Sequence, residues 1–288
     1  MDAPAFDAAT TTVPDALTRE IAATASQAAE RAGAVQMAAF RRELRPTEIL
    51  PRDVKTDVDR RCEAAIVACI RECFPDHQIL AEEGGFIGGR GDFVWIIDPL
   101  DGTVNFVHGL PQFCTCVACC RAGSDGQLPA NGRQLLERGV AGAVFSPATG
   151  ERYVAVRGCG ATVNDRPLHC ADTDRLSETI VALSFGKTDA AITRMTTVAG
   201  RLARNARKVR SYGCAGMDIL QVAHSRLGGV LYQGIELWDL AAAGIVLAEA
   251  GGLLQAERQT SGKWNLTAAL PGVVHELQAV VEGAVLHE

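Results

Sequence analysis

The stretch WIIDPLDGTVNF, Trp95 to Phe106, decides how the rest of the chain is read. The apolar run Phe93 to Ile97 reads as a buried strand. It delivers two acids, Asp98 and Asp101, with Pro99 and Leu100 between them and Gly102-Thr103 directly after. Two carboxylates about 4 Å apart repel by roughly 4 kcal/mol at an effective dielectric of about 20. Either the acids point apart, or positive charge lies between them.

Outward from this stretch the pattern is mixed. Asp15 to Leu44 reads as an alanine-rich helix with apolar residues at Leu17, Ile21, Ala25 and Ala28, after a loose N-terminus over residues 1–14. A second amphipathic helix covers Arg60 to Phe74 and stops at Pro75. Strands are expected at Gln78–Ala81, Phe93–Asp98, Phe113–Arg121, Val140–Phe145 and Arg152–Val156, with a polar loop from Ser124 to Arg138. Beyond Gly158 strands and helices alternate: strands at Thr179–Ser184, Gly229–Tyr232, Leu253–Ala256 and Ala279–Val281, helices at Asp189–Ala206, Cys214–Ser225 and Leu240–Ala250. The expected division is an N-terminal α+β subdomain, residues 1–155, and a C-terminal α/β subdomain, residues 156–288, packed as one unit.

With 288 residues, 48% of them hydrophobic, the chain can bury a sizeable core. Its net charge of −6 argues against nucleic-acid and membrane-surface partners. No run approaches the roughly 20 apolar residues of a membrane helix. The start, MDAPAFDAATTTVPD, lacks the basic and apolar regions of a secretory signal, so the expectation is a cytoplasmic protein with ten reduced cysteines. Four of these crowd into CTCVACC, Cys114 to Cys120; without a second cysteine or histidine pair at zinc spacing they read as small core residues of a strand. GCGATVN, Gly158 to Asn164, lacks the third small residue of a dinucleotide loop and reads as a turn. The basic run Arg201 to Arg210 reads as a solvated helix face.

Four acids stand at element ends beside tight turns: Glu82, Asp98, Asp101 and Asp239. Each has an ordinary explanation alone: Asp239 as a helix N-cap, Asp101-Gly102 as a turn, Glu82-Glu83 as exposed charge. Together they fit hard cations, since Mg²⁺ takes oxygen ligands and two such ions need a shared carboxylate with flanking acids. Asp98 can bridge, with Asp101 and Glu82 serving one ion each.

DPLDGTVNFVHG (Asp98–Gly109) and WDLAAAGIVLAEAGG (Trp238–Gly252) resemble the two signatures of the inositol monophosphatase family of Mg²⁺-dependent, Li⁺-sensitive phosphatases. AEEGG (Ala81–Gly85), VKTDVD (Val54–Asp59), RSYGCAG (Arg210–Gly216) and GCGATVN resemble further family segments in the same order. The resemblance implies a layered αβαβα sandwich of the inositol monophosphatase and fructose-1,6-bisphosphatase type, with the site between its halves. It assigns a first Mg²⁺ to Glu82, Asp98 and the Leu100 carbonyl, a second to Asp98, Asp101 and Asp239, and a third, weaker ion near Glu82. It makes Asp59, Thr103 and Glu82 the catalytic set, Asp59 and Thr103 orienting and deprotonating the attacking water. Gly102 and Thr103 would contact the phosphate, and Ala215, Tyr232 and Glu236 the rest of the substrate. A homodimer is also implied.

Inositol-specific members place a glutamate seven residues before the second-signature aspartate, where this chain has Tyr232. Loss of a buried hydroxyl partner shifts discrimination strongly, so the substrate stays open among inositol 1-phosphate, fructose 1,6-bisphosphate, 3′-phosphoadenosine 5′-phosphate and histidinol phosphate. Tyr232 reads equally as a core residue of its strand. A metal-binding interaction protein without turnover, or a thiol-redox protein built on CTCVACC, are the alternatives from other classes.

Overall fold

The computed structural model describes residues 14–42, 46–123 and 127–283. The chain begins with α1 (Ala16–Ala39), the hairpin β1 (Glu48–Leu50) and β2 (Asp53–Lys55), α2 (Asp57–Cys73), β3 (Gln78–Ala81) and β4 (Gly85–Ile87). Next come β5 (Phe93–Asp101), α3 (Thr103–Val107), β6 (Cys114–Arg121), α4 (Gly132–Arg138), β7 (Gly139–Ser146), β8 (Glu151–Val156), β9 (Gly160–Val163) and β10 (Arg166–Leu168). Then follow β11 (Ile180–Leu183), α5 (Asp189–Asn205), β12 (Lys208–Arg210), α6 (Ala215–Ala223), β13 (Gly229–Ile235), α7 (Leu237–Glu249), β14 (Leu253–Arg258), β15 (Trp264–Ala269) and α8 (Val274–Glu282).

Local signals start these elements. The Asp15 carboxylate accepts the Thr18 amide at 2.6 Å and caps α1. Thr56 and Asp59 form a reciprocal capping box at the start of α2. An eight-stranded sheet runs β10-β9-β8-β7-β6-β5-β3-β4, antiparallel except for the β3–β5 pair. A five-stranded sheet runs β12-β11-β13-β15-β14, parallel through β13 and antiparallel beyond it. Helices α1 and α2 cover one face of the large sheet. Helices α6 and α7 fill the space between the sheets, and α5 and α8 close the far side of the small sheet. The result is the five-layer αβαβα sandwich.

The inner layers touch closely. A Cβ on Gly142 of β7 would lie 2.6 Å from the Ala242 carbonyl of α7, so the helix rests on bare backbone. On the other face, a Cβ on Gly33 of α1 would lie 2.5 Å from the Phe145 ring. Both sheet faces are therefore packed against helix, and β5 is buried along its whole length.

Several expectations are corrected. The strand foreseen at Ala279–Val281 is the end of α8: Val274, Leu277 and Val280 bury one helical face, and local packing overrides the β-preference of the valines. GCGATVN is more than a turn, because Gly160–Val163 forms β9 and pairs with β10 across Asn164-Asp165, both in left-handed backbone at φ 47° and 62°. The polar loop contains α4, capped by Asn131, while residues 124–126 lie outside the described residues. The basic run leaves its helix after Asn205 and ends in β12. Strand β15 was not foreseen. The expected loose N-terminus, apart from Pro14, and Leu44 at the end of the first helix also lie outside the described residues. The large sheet continues through Leu168, and the change of sheet falls between Leu168 and Ile180. No helix among the described residues is long and apolar enough to cross a membrane.

Replacing Gly142 with alanine forces β7 and α7 apart and is expected to destabilise the fold by about 1–3 kcal/mol, the usual cost of overpacking. Urea unfolding measures it; an unchanged midpoint contradicts the close approach.

Candidate active site

Strand β5 carries its acids past a break in the ladder. Asp98 opposes Cys116 and Asp101 opposes Cys114, with the register shifted between them. Pro99 has no amide to offer the ladder, and the Leu100 amide turns back to the Asp98 carboxylate at 3.0 Å. The Pro99 carbonyl is held instead by two side chains: Gln36 Nε2 donates at 2.8 Å and Thr115 Oγ1 at 3.2 Å. Gln36 is fully buried on the alanine-rich face of α1, so the first helix fixes the kink that separates the two acids.

Other elements bring the remaining groups. Parallel pairing of β3 with β5 sets Glu82 beside Asp98. Its neighbour Glu83 turns the other way, to Lys55 Nζ at 2.7 Å. Asp239 is the third residue of α7 rather than its N-cap: Glu236 caps the helix, and the Glu236 amide donates to Asp239 at 2.8 Å. Asp101 accepts the Gly216 amide at 2.6 Å and the Cys214 thiol at 3.2 Å. Gly102 has φ 84°, and a Cβ there would lie 2.6 Å from the Gln112 carbonyl, so glycine is required on both counts.

Thr103 links this cluster to α2. Its hydroxyl faces Asp59 Oδ1 at 3.2 Å and the Leu100 carbonyl at 2.9 Å. The other Asp59 oxygen accepts from Thr56 Oγ1 at 2.6 Å and the Thr56 amide at 2.8 Å. A cleft of about 270 Å³ gathers Glu82, Asp98, Leu100, Asp101, Gly102, Thr103, Ala215, Tyr232 and Asp239 along its lining. Asp59 stands behind Thr103. Glu236 is not brought to the lining; its carboxylate pairs with Lys263. Tyr232 is buried, and its hydroxyl donates to Asp218 at 2.6 Å.

Several residues here escaped sequence reading. Arg52, Asp53 and Lys187 line the mouth, where Lys187 pairs with Asp53 and Arg52 reaches Asp189 at 2.8 Å. Asn105 Nδ2 donates to the Tyr212 carbonyl at 2.7 Å and joins α3 to the segment before α6. Only Gln36 leaves a sequence signal, as an amide four, seven and eleven residues after Ala32, Ala29 and Ala25 on one helical face.

The electrostatics are those of uncompensated negative charge. Burial, then the neighbouring Asp239, pushes the Glu82 carboxyl up to about 8. Burial, then Asp101, pushes Asp239 up to about 7. Asp98 is driven well above the carboxylate range by burial and then by Glu82, Asp101 and Asp239. Burial also raises Asp101, against the pull of the Gly216 amide and the Cys214 thiol. Asp59 is raised by burial despite its threonine hydrogen bonds. The donors are all oxygens, so the set suits a hard divalent cation. The thiols of Cys114 and Cys119 are pushed far up by burial, which makes them poor nucleophiles.

Oxygen donors gathered in one cleft of an αβαβα sandwich, at the ends of β3 and β5 and on α7, define a class, the sandwich phosphatases. The inositol monophosphatase family model matches residues 17–283, and the chain belongs to that family. It is 34% identical over 262 residues to the Nus factor SuhB of Pasteurella multocida, covering 88% of this chain and 92% of the relative. It is also 34% identical over 203 residues to the fructose-1,6-bisphosphatase/inositol-1-monophosphatase of Thermotoga maritima, covering 70% and 71%. The solved inositol monophosphatase of Anabaena (Nostoc) superimposes with a TM-score of 0.76 at 28% identity, covering 93% of this chain and 97% of that one.

The shifts set a pH dependence for the metal-free protein. Glu82 and Asp239 hold protons up to about 8 and 7 when folded, against 4.5 and 3.8 ordinarily. Between those limits the folded state binds more protons than the unfolded one, so stability falls as pH rises. The melting temperature of chelator-treated protein is expected to drop from about pH 6 to about pH 8, and Mg²⁺ to restore more at the higher pH. A flat profile, or a larger Mg²⁺ effect at the lower pH, contradicts this.

Proposed function

We propose that the protein is a Mg²⁺-dependent phosphomonoesterase acting on a small phosphorylated metabolite of the inositol 1-phosphate type. The observation that carries this reading is the convergence of Glu82, Asp98, Asp101 and Asp239 on one cleft beside the Thr103–Asp59 pair. Glu82, Asp98 and the Leu100 carbonyl would hold one ion, Asp98, Asp101 and Asp239 a second, and Glu82 would serve a third, weaker one. When bound, the ions neutralise the carboxylates, acidify a water and stabilise the leaving oxygen.

The chain's own groups do the rest. Thr103 gives its hydroxyl proton toward Asp59 or the Leu100 carbonyl, which leaves a lone pair to accept a hydrogen bond from a water in the cleft. Asp59 is the proton acceptor in this relay: its raised affinity suits a base, and Thr56 anchors its second oxygen. Gly102 and Thr103 supply backbone amides for the phosphate. Tyr232 closes the sugar side of the cleft, with its hydroxyl already committed to Asp218.

A second reading keeps the chemistry and changes the substrate. Arg52 and Lys187 stand at the mouth of the cleft, each in an exposed ion pair that a second anionic group on the substrate, as in fructose 1,6-bisphosphate, would compete for. The reading from another class, a binding protein without turnover, draws on relatives named Nus factor SuhB.

Phosphate release from inositol 1-phosphate, fructose 1,6-bisphosphate, 3′-phosphoadenosine 5′-phosphate and histidinol phosphate, with and without Mg²⁺ and Li⁺, separates these readings. Mg²⁺-dependent release that Li⁺ depresses is expected on at least one of them; release from none supports the binding role. Asp98→Asn is expected to lower kcat by more than the about 10–100-fold that loss of an outer partner costs. Retention of most activity in that variant contradicts the shared-ligand assignment.

A further inference from the structure

The thiols of CTCVACC do not all face the same way. Cys114, Cys116 and Cys120 point into the layer of α6 and α7, whereas Cys119 points toward α1 and α2. Cys114 and Cys116 are the cross-strand neighbours of Asp101 and Asp98. A third thiol arrives from the other half of the chain: Cys214, at the N-terminus of α6, lies 3.7 Å from Cys114 Sγ and 3.2 Å from Asp101 Oδ2. Cys114 Sγ and Cys116 Sγ are also 3.7 Å apart.

The two sulfur–sulfur spacings match the edges of a known coordination polyhedron. With Zn–S bonds of about 2.3 Å, the edges of a tetrahedral thiolate site are about 3.8 Å long. Asp101, Cys114 and Cys116 present ligand atoms within 4.8 Å of one another, the one such group found among the described residues. Cys214 lies outside that group and borders two of its three members, Cys114 and Asp101. The packing holds the group in place. A Cβ on Gly216 would lie 2.7 Å from Cys116 Sγ, 3.1 Å from Asp101 Oδ2 and 3.2 Å from Cys114 Sγ, so only glycine lets these atoms gather there. The group adjoins the cleft through Asp101, which lines it, while the three thiols are buried behind.

We propose that Cys114, Cys116 and Asp101, with Cys214 closing on them as a fourth donor, form a second metal site, selective for a soft divalent cation such as Zn²⁺ or Cd²⁺. Each ligating thiol gives up its proton to solvent, and no oxidant or reductant is involved. Sulfur donors select soft ions, while the all-oxygen set beside them selects hard ones. The two sites share Asp101. A soft ion therefore draws away a ligand of the second Mg²⁺ and inhibits turnover. This consequence, unlike the binding itself, rests on the phosphatase reading.

Cd²⁺ titration of the full chain, stripped of metal and kept reduced with a phosphine, tests the site without reference to activity. A thiolate-to-metal charge-transfer band in the ultraviolet should grow and saturate at one equivalent. The first-equivalent band should survive Cys73→Ser and vanish in Cys114→Ala/Cys116→Ala; a Mg²⁺-dependent rise in melting temperature shows that the double variant is folded. Cys116→Ser is the milder substitute if it is not, and should weaken binding at least tenfold. No band at one equivalent in the wild type, or the same band in the cysteine variants, overturns the proposal. In the presence of Mg²⁺, phosphatase activity should fall at least tenfold as the band saturates and return with a dithiol chelator. A saturated band with unchanged turnover overturns the sharing of Asp101 and leaves the binding standing, whereas absence of any phosphatase activity counts against the functional reading alone.

Discussion

The mutual repulsion of buried carboxylates is the constraint around which this molecule is organised. Asp98 and Asp101 sit on one strand, Glu82 at the end of its parallel neighbour and Asp239 on a helix from the other half of the chain. Burial disfavours every one of these charges, and each disfavours the others. A chain that needed only stability would not assemble them, because isolated buried charges cost several kcal/mol each. The assembly makes physical sense as a set of oxygen ligands waiting for hard cations, whose binding would convert a destabilising cluster into a cross-link between the large sheet and α7.

The scaffold supplies what such a cluster demands, which is rigidity from every side. Gln36 and Thr115 hold the Pro99 carbonyl and so fix the break in β5. The amide of Gly216 holds Asp101, and the first turn of α7 holds Asp239. Thr103 couples the cluster to Asp59 and hence to α2. The glycines at positions 102 and 216 exist for close approach, one to the Gln112 carbonyl and the other to the thiols beneath Asp101. At the mouth, Lys187 with Asp53 and Arg52 with Asp189 tie the β1–β2 hairpin to the segment that opens α5.

Much of this could be read from the residues. An apolar run ending in acids and a glycine is an unusual end for a strand, and that pattern led to the family and to the five-layer sandwich. Features that depend on long-range contact could not be read. Gln36 acquires its role only when α1 lies across the Pro99 carbonyl, 63 residues further on. Lys187 and Asp53 are ordinary surface charges until two loops meet. The strand foreseen at Ala279–Val281 is helical because Val274, Leu277 and Val280 find a buried face together, which a run of valines does not advertise. Asp239 passed for an N-cap because the capping box places its second acid three residues inside the helix, and Glu236 could fill either role. The cysteines illustrate the same limit: spacing within CTCVACC says core strand, and only the fold adds Cys214 and Asp101 to the group.

The central claim is that two hard cations share Asp98 within the carboxylate cluster. Anomalous diffraction from crystals of the protein grown with Mn²⁺ in place of Mg²⁺ tests it directly. The account predicts two peaks in the cleft, one among Glu82, Asp98 and the Leu100 carbonyl, and one among Asp98, Asp101 and Asp239. A single peak that does not touch Asp98, or no peak in the cleft at saturating Mn²⁺, would contradict it.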